Sequence, residues 1–284
     1  MAKKIAFQGE IGANSHMAAV AAYKDYEPLP CITFDDAFKA VASGDAALAM
    51  IAIENTLAGR VSDVHHLLPA SGLFMVGEYF APIHHQLIGV KGAKLSDITH
   101  IRSHPMALGQ CRKIISQLNA KAIITADTAG SVREIAELGD IHHAALGSSL
   151  AAEYHNVPIL QKDVEDAHHN ATRFVVLSAK PDDAPFEPDS THKYITSLIF
   201  RVRNIPAALY KAMGGFATNS VNMTKLESYQ IGGSFNATQF YADIEGHPEE
   251  KNVSLALQEL RFFSADLTVL GVYHAHEFRN RKLD

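Results

Sequence analysis

An alternation of apolar strands and helical segments runs through the first 180 residues and limits the possible folds more than any other feature. In each unit an apolar stretch leads through a short polar turn into a helix: KKIAFQG precedes EIGANSHMAAVAAY, ALAMIAI precedes ENTLAGRVSDVHHLL, ITHIRS precedes HPMALGQCRKIISQL, AKAIIT precedes ADTAGSVREIAELG, and HHAALG precedes SSLAAEYH. Strands that alternate with helices predict a mostly parallel α/β sheet, in which a ligand binds at the carboxyl ends of the strands.

Polar side chains gather in the turns between these strands and helices. The turns contain Asn14 and Ser15, Glu54 to Thr56, Ser103 and His104, Thr125 to Thr128, and Ser148 and Ser149. Each turn is predicted to open a helix, whose free N–H groups and positive dipole end suit an anion. Any one of these residues could be only a helix cap. Together, the five turns predict a cleft for a small anion.

Composition excludes several classes of partner. The formal net charge is −6 and the pI is near 6.2, which argues against a nucleic acid or an anionic membrane as the main partner. No apolar run is long enough to cross a bilayer, and the N-terminus has no apolar signal region. The two cysteines, Cys31 and Cys111, have no CxxC spacing. We therefore expect a cytoplasmic protein.

The sixteen histidines invite a metal hypothesis that their spacing does not favour. Doublets occur at 65–66, 84–85, 142–143 and 168–169, but adjacent residues do not share a face of a helix or a strand. HExxH is absent. GxGxxG and GxxxxGK[ST] are absent as well, so we expect neither a metal nor a nucleotide or nicotinamide cofactor.

The segment AHHNATRFVVLS places a hydroxyl and a guanidinium at the entrance of a buried strand. Thr172 and Arg173 lead directly into the apolar run that begins at Phe174. Arginine seldom occupies such a position unless an anion or a carboxylate meets it there. Two interpretations are open: an ion pair with a nearby acid (Asp163, Glu165 or Asp166), or a contact with an anionic ligand.

The pattern changes after a stretch rich in Pro and Asp at residues 179–193, which reads as a linker. Beyond it the predicted elements follow the order β-α-β-β-α-β, which is typical of the ferredoxin-like unit. The helix PAALYKAMGGFA follows the first of these strands. Gly232, Gly233 and Ser234 predict the hairpin between the second and third strands.

Six stretches in sequence order carry a family resemblance: FQGEIGANSHMAA, IAIENTLAGRV, IRSHPMALGQC, TADTAGS, NATRFVVL and NMTKLESYQ. With them the chain resembles a prephenate dehydratase with a C-terminal ACT regulatory domain. The resemblance implies a catalytic domain at 1–180, a linker at 181–193 and an ACT domain at 194–284. It also implies that the catalytic domain has two α/β lobes, similar to type II periplasmic binding proteins, with crossings near residues 77 and 161.

The resemblance implies a reaction that converts prephenate to phenylpyruvate, carbon dioxide and water without a cofactor. Arg173 would clamp a substrate carboxylate and Thr172 would bond to the departing hydroxyl, as the two catalytic residues. Helix N-termini near Ser15, Asn55 and Ser103 would hold the other carboxylate. His104, Thr125 and Phe174 complete the expected substrate site, although a helix cap suits His104 better and a core position suits Phe174 better.

The resemblance also implies phenylalanine as an effector, bound between the subunits of a homodimer or homotetramer. The expected effector site lies at two short stretches: Asn204, Ala208 and Leu209, and then Leu226, Glu227 and Ser228. The family commonly reads Glu-Ser-Arg-Pro where this chain has Glu227-Ser228-Tyr229-Gln230, and Gly-Ala-Leu where it has Ala207-Ala208-Leu209. Ala in place of Gly restricts the backbone.

Two other functions fit the same residues. Arogenate, which carries an amine in place of the side-chain keto group, is the substrate of the related arogenate dehydratases, and the sequence does not separate the two. A cytoplasmic ligand sensor, with a binding cleft but no chemistry, is the alternative from another class. The Thr172-Arg173-Phe174 stretch favours an enzyme.

Overall fold

The computed structural model describes residues 2–167, 169–203, 205–230 and 237–280. The chain forms two compact units, and each unit consists of two separate stretches of sequence. The first comprises Met1–Val61 and Tyr79–Phe174, and the second comprises Ser62–Glu78 and Val175–Asp284. None of the described helices is long and apolar enough to span a membrane.

Two sheets organise the first unit. The six-stranded sheet contains β1 (Lys4–Gln8), β2 (Glu27–Cys31), β3 (Leu48–Asn55), β4 (Gly59–Arg60), β5 (Phe74–Pro82) and, late in the chain, β11 (Ala171–Ser178). Its order is β2-β1-β3-β11-β5, with β4 paired to β3, and β1 runs parallel to both β2 and β3. Strands β1 and β11 are almost entirely buried, as expected for strands covered on both faces.

The second sheet contains β6 (Gln86–Ile88), β7 (His100–Ser103), β8 (Lys121–Ile124), β9 (His143–Gly147) and β10 (Ile159–Gln161), in the order β10-β6-β9-β7-β8. Strand β7 is parallel to β8 and β9, whereas β6 is antiparallel to β9 and β10. The chain leaves the first sheet only after Pro82, later than the crossing expected near residue 77, and it departs from the second sheet after Gln161.

Six helices belong to the first unit among the described residues: α1 (Asn14–Ala22), α2 (Phe34–Ser43), α4 (Pro105–Gln110), α5 (Arg112–Gln117), α6 (Thr128–Leu138) and α7 (Ser149–Tyr154). The helix α3 (Ser62–Ser71) belongs to the second unit. The sequence interpretation passed over β2 and α2, although Thr33 and Asp36 form a reciprocal cap at the start of α2. It also placed a helix directly after β3. The chain instead turns back into β4, and α3 begins only at Ser62.

The ferredoxin-like order predicted for the C-terminal region is confirmed. It consists of β12 (Tyr194–Val202), α8 (Ala208–Thr218), β13 (Met223–Gln230), β14 (Ala237–Glu245), α9 (Lys251–Phe263) and β15 (Ser264–His274). The strands pair antiparallel in the order β13-β14-β12-β15. Leu198, Phe200, Phe216 and Leu260 are buried together in the core of this unit. The predicted hairpin at Gly232, Gly233 and Ser234 lies outside the described residues.

The segment Ser62–Glu78 packs within this second unit, although the rest of the unit begins only at Val175. Arg279 donates to both carboxylate oxygens of Glu78, with Nε–Oε1 and Nη2–Oε2 distances of 2.6 and 2.7 Å. At Gly271, on β15, an added Cβ would lie 1.8 Å from the carbonyl oxygen of Met75. Only a glycine permits so close an approach of two backbones.

Candidate functional site

The hydroxyl and guanidinium singled out in the sequence lie at the start of β11. Thr172 and Arg173 are 9 % and 3 % exposed, and the following Phe174 is buried in the core, as expected. Burial of a hydroxyl and a charge requires hydrogen-bonding partners, since an unpaired polar group would cost free energy. Two of these partners, Asn55 and Glu54, lie at the end of β3.

Asn55 fixes the hydrogen-bonding role of the Thr172 hydroxyl. The Oδ1 of Asn55 accepts the backbone N–H groups of Leu57 and Ala58 at 3.0 and 2.9 Å. Backbone nitrogens can only donate, so this oxygen is identified without ambiguity and Nδ2 lies on the other side of the carboxamide. Nδ2 is 2.9 Å from the Thr172 Oγ1 and 3.1 Å from the Ala171 carbonyl oxygen, and because Nδ2 only donates, Thr172 can bond to it only as an acceptor. The Thr172 proton remains available, and no described residue accepts it.

The same logic extends through a chain of side chains. Asn55 Nδ2 also donates to the Oδ1 of Asn170, at 2.8 Å. The Nδ2 of Asn170 donates in turn to the Oε1 of Gln110, at 3.0 Å. The Nε2 of His85 lies 2.9 Å from the same Gln110 oxygen, so His85 is protonated on Nε2. A network of hydrogen bonds thus connects His85 and Gln110, at the end of α4, with the Thr172 hydroxyl.

Arg173 meets a carboxylate, but not one of the three acids considered from the sequence. Its Nη1 donates to the Oε1 of Glu54 at 3.1 Å, and its guanidinium carbon lies 6.0 Å from the centre of the Phe80 ring. Glu54 is the penultimate residue of β3, the strand beside β11 in the sheet. The ion pair therefore follows from strand order rather than from sequence proximity.

The three acids close to Arg173 in sequence have other partners. The Asp163 carboxylate accepts from the Nε2 of Gln86 at 2.9 Å. The Asp166 carboxylate accepts the backbone N–H groups of Arg112 and Lys113 and so caps α5. Glu165 accepts from the backbone of His85 and lies 2.7 Å from the Nδ1 of His84. Burial acts to raise the pKa of Glu165, but these hydrogen bonds outweigh it and hold the pKa below its ordinary value.

Among the described residues, one group of side chains has its potential metal-ligand atoms close together. His84, Asp163 and Glu165 each offer one such atom, all within 4.8 Å of one another. The sequence analysis did not predict this group, because its members come from two separate segments. His84 and Glu165 are within hydrogen-bond distance of each other, which accounts for their proximity without a metal.

The turn residues predicted for the substrate site have different surroundings. Ser15 is buried at the start of α1, and its side chain has no hydrogen bond to a described residue. Ser103 is fully buried and donates to the Leu146 carbonyl at 2.7 Å, so it links β7 to β9. The Nδ1 of His104 caps α4, as its position suggested. Thr125 bonds with Ser131 in the first turn of α6.

The expected effector residues lie in the second unit. Ala208 and Leu209 open α8, while Leu226, Glu227 and Ser228 lie on β13, an edge strand of the sheet. Asn204 lies outside the described residues. Leu209 packs partly against the hydrophobic core of the unit.

Ala207 and Tyr229, which depart from the family motifs, each have a distinctive conformation or contact. Ala207, where the family commonly has Gly, adopts the left-handed conformation with φ of 58°, which favours glycine. Tyr229, where the family commonly has Arg, is buried, and its hydroxyl lies 2.6 Å from the Nδ1 of His65 on α3. The altered motif thus forms a hydrogen bond with the segment Ser62–Glu78.

The sequence analysis named Glu54 only among the polar turn residues and gave no role to Gln110, Asn170 or His85. Hydrogen bonds connect all four to Thr172 or Arg173. Gln110 closes the stretch HPMALGQC, and Asn170 stands two residues before Thr172 in NATRF, so both lay within the quoted stretches. His85 carried only the signal of a histidine doublet before a short apolar run.

Comparison with known proteins identifies the relatives of this site and fold. A family model described as prephenate dehydratase matches residues 5–182. The bifunctional N-acyl-homoserine lactone acylase/prephenate dehydratase of Komagataeibacter europaeus is 49% identical over 277 residues, covering 98% of each chain. Arogenate dehydratase/prephenate dehydratase 1 of Arabidopsis thaliana is 33% identical, over 95% of this chain and 71% of the relative. The structure of prephenate dehydratase from Arthrobacter aurescens in complex with L-Phe has a TM-score of 0.87 at 26% identity, covering 96% of this chain and 90% of that one.

Proposed function

The chain belongs to the prephenate dehydratase family, and from this premise we propose that it converts prephenate to phenylpyruvate in phenylalanine biosynthesis. In this reaction the ring carboxylate leaves as carbon dioxide, and its bonding electrons enter the ring as the hydroxyl departs. With one proton added, the hydroxyl becomes water and the ring becomes aromatic. The enzyme has to bind two carboxylates, hold the ring in position and assist departure of the hydroxyl.

The single observation that carries this proposal is the direction of the hydrogen bond between Asn55 and Thr172. Because the Thr172 oxygen accepts from Asn55, its proton can be donated to the leaving hydroxyl of the substrate. A hydrogen bond that strengthens as negative charge develops on that oxygen accelerates the chemical step. A threonine hydroxyl is too weak an acid to be the final proton source, so water or a neighbouring group supplies the proton.

Arg173 is proposed to bind a carboxylate of the substrate. A guanidinium has five N–H donors in a planar fork, more than one carboxylate can use, so a pair with Glu54 is compatible with a second anion. Glu54 would keep the buried guanidinium in place before substrate arrives. Ser15, with its uncommitted hydroxyl at the start of α1, is a further candidate for an anion contact.

The test is an assay of the purified protein with prephenate at neutral pH, followed by the absorbance of phenylpyruvate. We expect turnover of prephenate without added metal or cofactor. Arogenate in a parallel assay, with phenylalanine as the product, measures the preference between the two substrates. Binding of prephenate without any product would contradict the proposal and favour the ligand sensor.

Regulation by phenylalanine is proposed for the C-terminal unit. The support is its β-α-β-β-α-β order and the relative whose structure contains L-Phe. Tyr210 and Phe262, on α8 and α9, are 82 % and 77 % exposed and suit burial against a second copy of the chain. We expect calorimetry to detect phenylalanine binding, and light scattering to detect at least a dimer. Absence of binding together with unchanged activity at millimolar phenylalanine would contradict regulation.

Hydrolysis of N-acyl-homoserine lactones is a second candidate function. A relative 49% identical to this chain has that activity in its name. The first unit also has a cavity of about 690 Å³ at the ends of β1 and β2, whose lining includes Ile11, Pro30, Ile32 and Tyr154. Such a lining suits an acyl chain. Incubation with N-dodecanoyl homoserine lactone should release dodecanoic acid. An active dehydratase that releases none would exclude this second function.

A further inference from the structure

The oxygen of the Gln110 carboxamide is hydrogen-bonded to described side chains, whereas its NH₂ group is not. Its Oε1 accepts two hydrogen bonds, from Asn170 Nδ2 at 3.0 Å and from His85 Nε2 at 2.9 Å. A carbonyl oxygen has two lone pairs, so both are occupied. The backbone carbonyl of Gln110 also accepts from Asp166, at 2.7 Å. Its side-chain NH₂ group, in contrast, bonds to no described residue and is not sealed from solvent.

His85 is held by its own backbone and by burial. His85 is 4 % exposed. Its backbone N–H donates to the Glu165 carboxylate at 2.9 Å, and its backbone carbonyl accepts from the Val164 N–H at 2.8 Å. Burial lowers the pKa of His85, although Gln110 and Glu165 oppose the shift. A neutral imidazole has one N–H, and the bond to Gln110 requires it on Nε2.

These contacts exclude the flipped carboxamide. If Gln110 turned by 180°, its NH₂ group would face two donors, the Nδ2 of Asn170 and the Nε2 of His85. Asn170 cannot flip in compensation, because its Oδ1 already accepts from Asn55. The Asn55 carboxamide is fixed by the two backbone N–H groups described above. His85 and Asn170 therefore hold Gln110 from two sides.

We propose that His85 is a positioning residue for the dehydration, which fixes the Gln110 carboxamide so that its NH₂ group donates to an anionic oxygen of the substrate. This inference rests on the proposed function, because it assigns His85 to the site that contains Thr172. His85 itself does not touch the substrate. His85 keeps the Gln110 side chain in one orientation before the substrate binds. Less conformational entropy of that side chain is then lost on binding and in the reaction.

The test compares two substitutions of His85 in two backgrounds. His85→Gln keeps an N–H donor at a similar reach, whereas His85→Leu removes the donor at similar volume. We expect His85→Leu to lower kcat/KM for prephenate by about tenfold or more, as for loss of a hydrogen bond to a charged group, and His85→Gln to restore most of it. In a Gln110→Ala background, His85→Leu should cause no further loss, because the group it positions is gone.

Prephenate binding by calorimetry and thermal unfolding of the same proteins complete the experiment. Weaker binding of prephenate in His85→Leu, but no further weakening in the Gln110→Ala background, supports the inference. Equal losses in both backgrounds would assign His85 a purely structural role and overturn it. A variant that does not fold is replaced by His85→Met, with the same expectations. A wild-type protein that neither binds nor converts prephenate would instead refute the proposed function.

Discussion

The Asn55 carboxamide donates to the Thr172 hydroxyl at 2.9 Å while the backbone N–H groups of Leu57 and Ala58 hold its oxygen. The turn between β3 and β4 thus fixes the orientation of the Asn55 carboxamide. The carboxamide in turn makes the Thr172 hydroxyl, on β11, an acceptor toward Asn55. This polarity leaves the Thr172 proton available for donation, which the proposed role of Thr172 in the dehydration requires. Predictions about the site depend on this polarity.

Thr172→Ala should lower kcat for prephenate by about a hundredfold and leave KM nearly unchanged, because the lost hydrogen bond is stronger in the transition state. Thr172→Ser should retain part of the activity. Steady-state kinetics measures both values, and Thr99→Ala, at an exposed threonine, is the control with wild-type rates. An increase in KM alone would reduce Thr172 to ordinary substrate binding.

Arg173→Lys should reduce kcat/KM by about tenfold or more, since an ammonium keeps the charge but loses the planar fork. The fold should persist, because the lysine can still pair with Glu54. Kinetics on a variant with an unchanged circular dichroism spectrum provides the measurement. Arg112→Lys, on the surface of α5, is the matched control. Wild-type kinetics in Arg173→Lys would be incompatible with a carboxylate clamp.

Ala207→Gly should stabilise the protein by roughly 1 kcal/mol, because Ala207 has φ of 58° and only glycine adopts that conformation without steric cost. Urea unfolding measures the change. Ala217→Gly, the same substitution at an exposed position in α8, should have the opposite sign and cost about 0.5–1 kcal/mol. If both substitutions destabilised the protein, no strain would be stored at Ala207.

Gly271→Ala should destabilise the protein by about 1–3 kcal/mol or more, since its Cβ would collide with the Met75 carbonyl group. Gly214→Ala is the matched control: a Cβ there meets nothing within 4 Å, and a helix gains stability from the replacement. Thermal unfolding distinguishes them. Equal melting temperatures for the two variants would show that β15 and Met75 are not in close contact.

Stability should fall as the pH drops below about 6.5, the ordinary pKa of histidine, because His16 and His85 are held neutral. Burial lowers the pKa of both, so the unfolded chain takes up protons first, and the loss continues until the pH passes their folded-state pKa values. The Nδ1 of His16 also accepts the Gly12 N–H, which a proton on that nitrogen would prevent.

The measurement is urea unfolding at several pH values between 5 and 8. His16→Asn, which keeps an acceptor but cannot titrate, should reduce the slope of unfolding free energy against pH. His66→Asn, at an exposed histidine, is the control for the substitution itself. A slope unaffected by His16→Asn would mean that His16 does not contribute.

Much of the architecture could be predicted because strands and helices repeat with a regular pattern along the chain. Strand β2 could not, since Pro28 and Pro30 deprive it of two N–H donors. Its place at the edge of the sheet tolerates them, but a strand's place in a sheet is not a local property. For the same reason the turn at Asn55 was assigned to a helix, although the two residues of β4 pair back on β3.

Thr172 and Arg173 were singled out because they lie in one short motif, whereas the contacts that sheet order determines could not be predicted. Glu54 and Arg173 are 119 positions apart and meet because β3 and β11 are neighbours. His85 and Gln110 meet across 25 positions through the fold of the second sheet. No periodicity along the sequence encodes such distances.

The inclusion of residues 62–78 in the C-terminal unit has a consequence for anyone who wishes to exchange C-terminal units between members of this family. A graft that begins at the linker would leave Glu78 without Arg279 and His65 without Tyr229. The part of the chain that has to come from a single parent therefore consists of two separate stretches of sequence. A successful chimera has to carry this early segment from the same parent as the C-terminal unit, and co-inheritance of the two should be visible in recombination libraries.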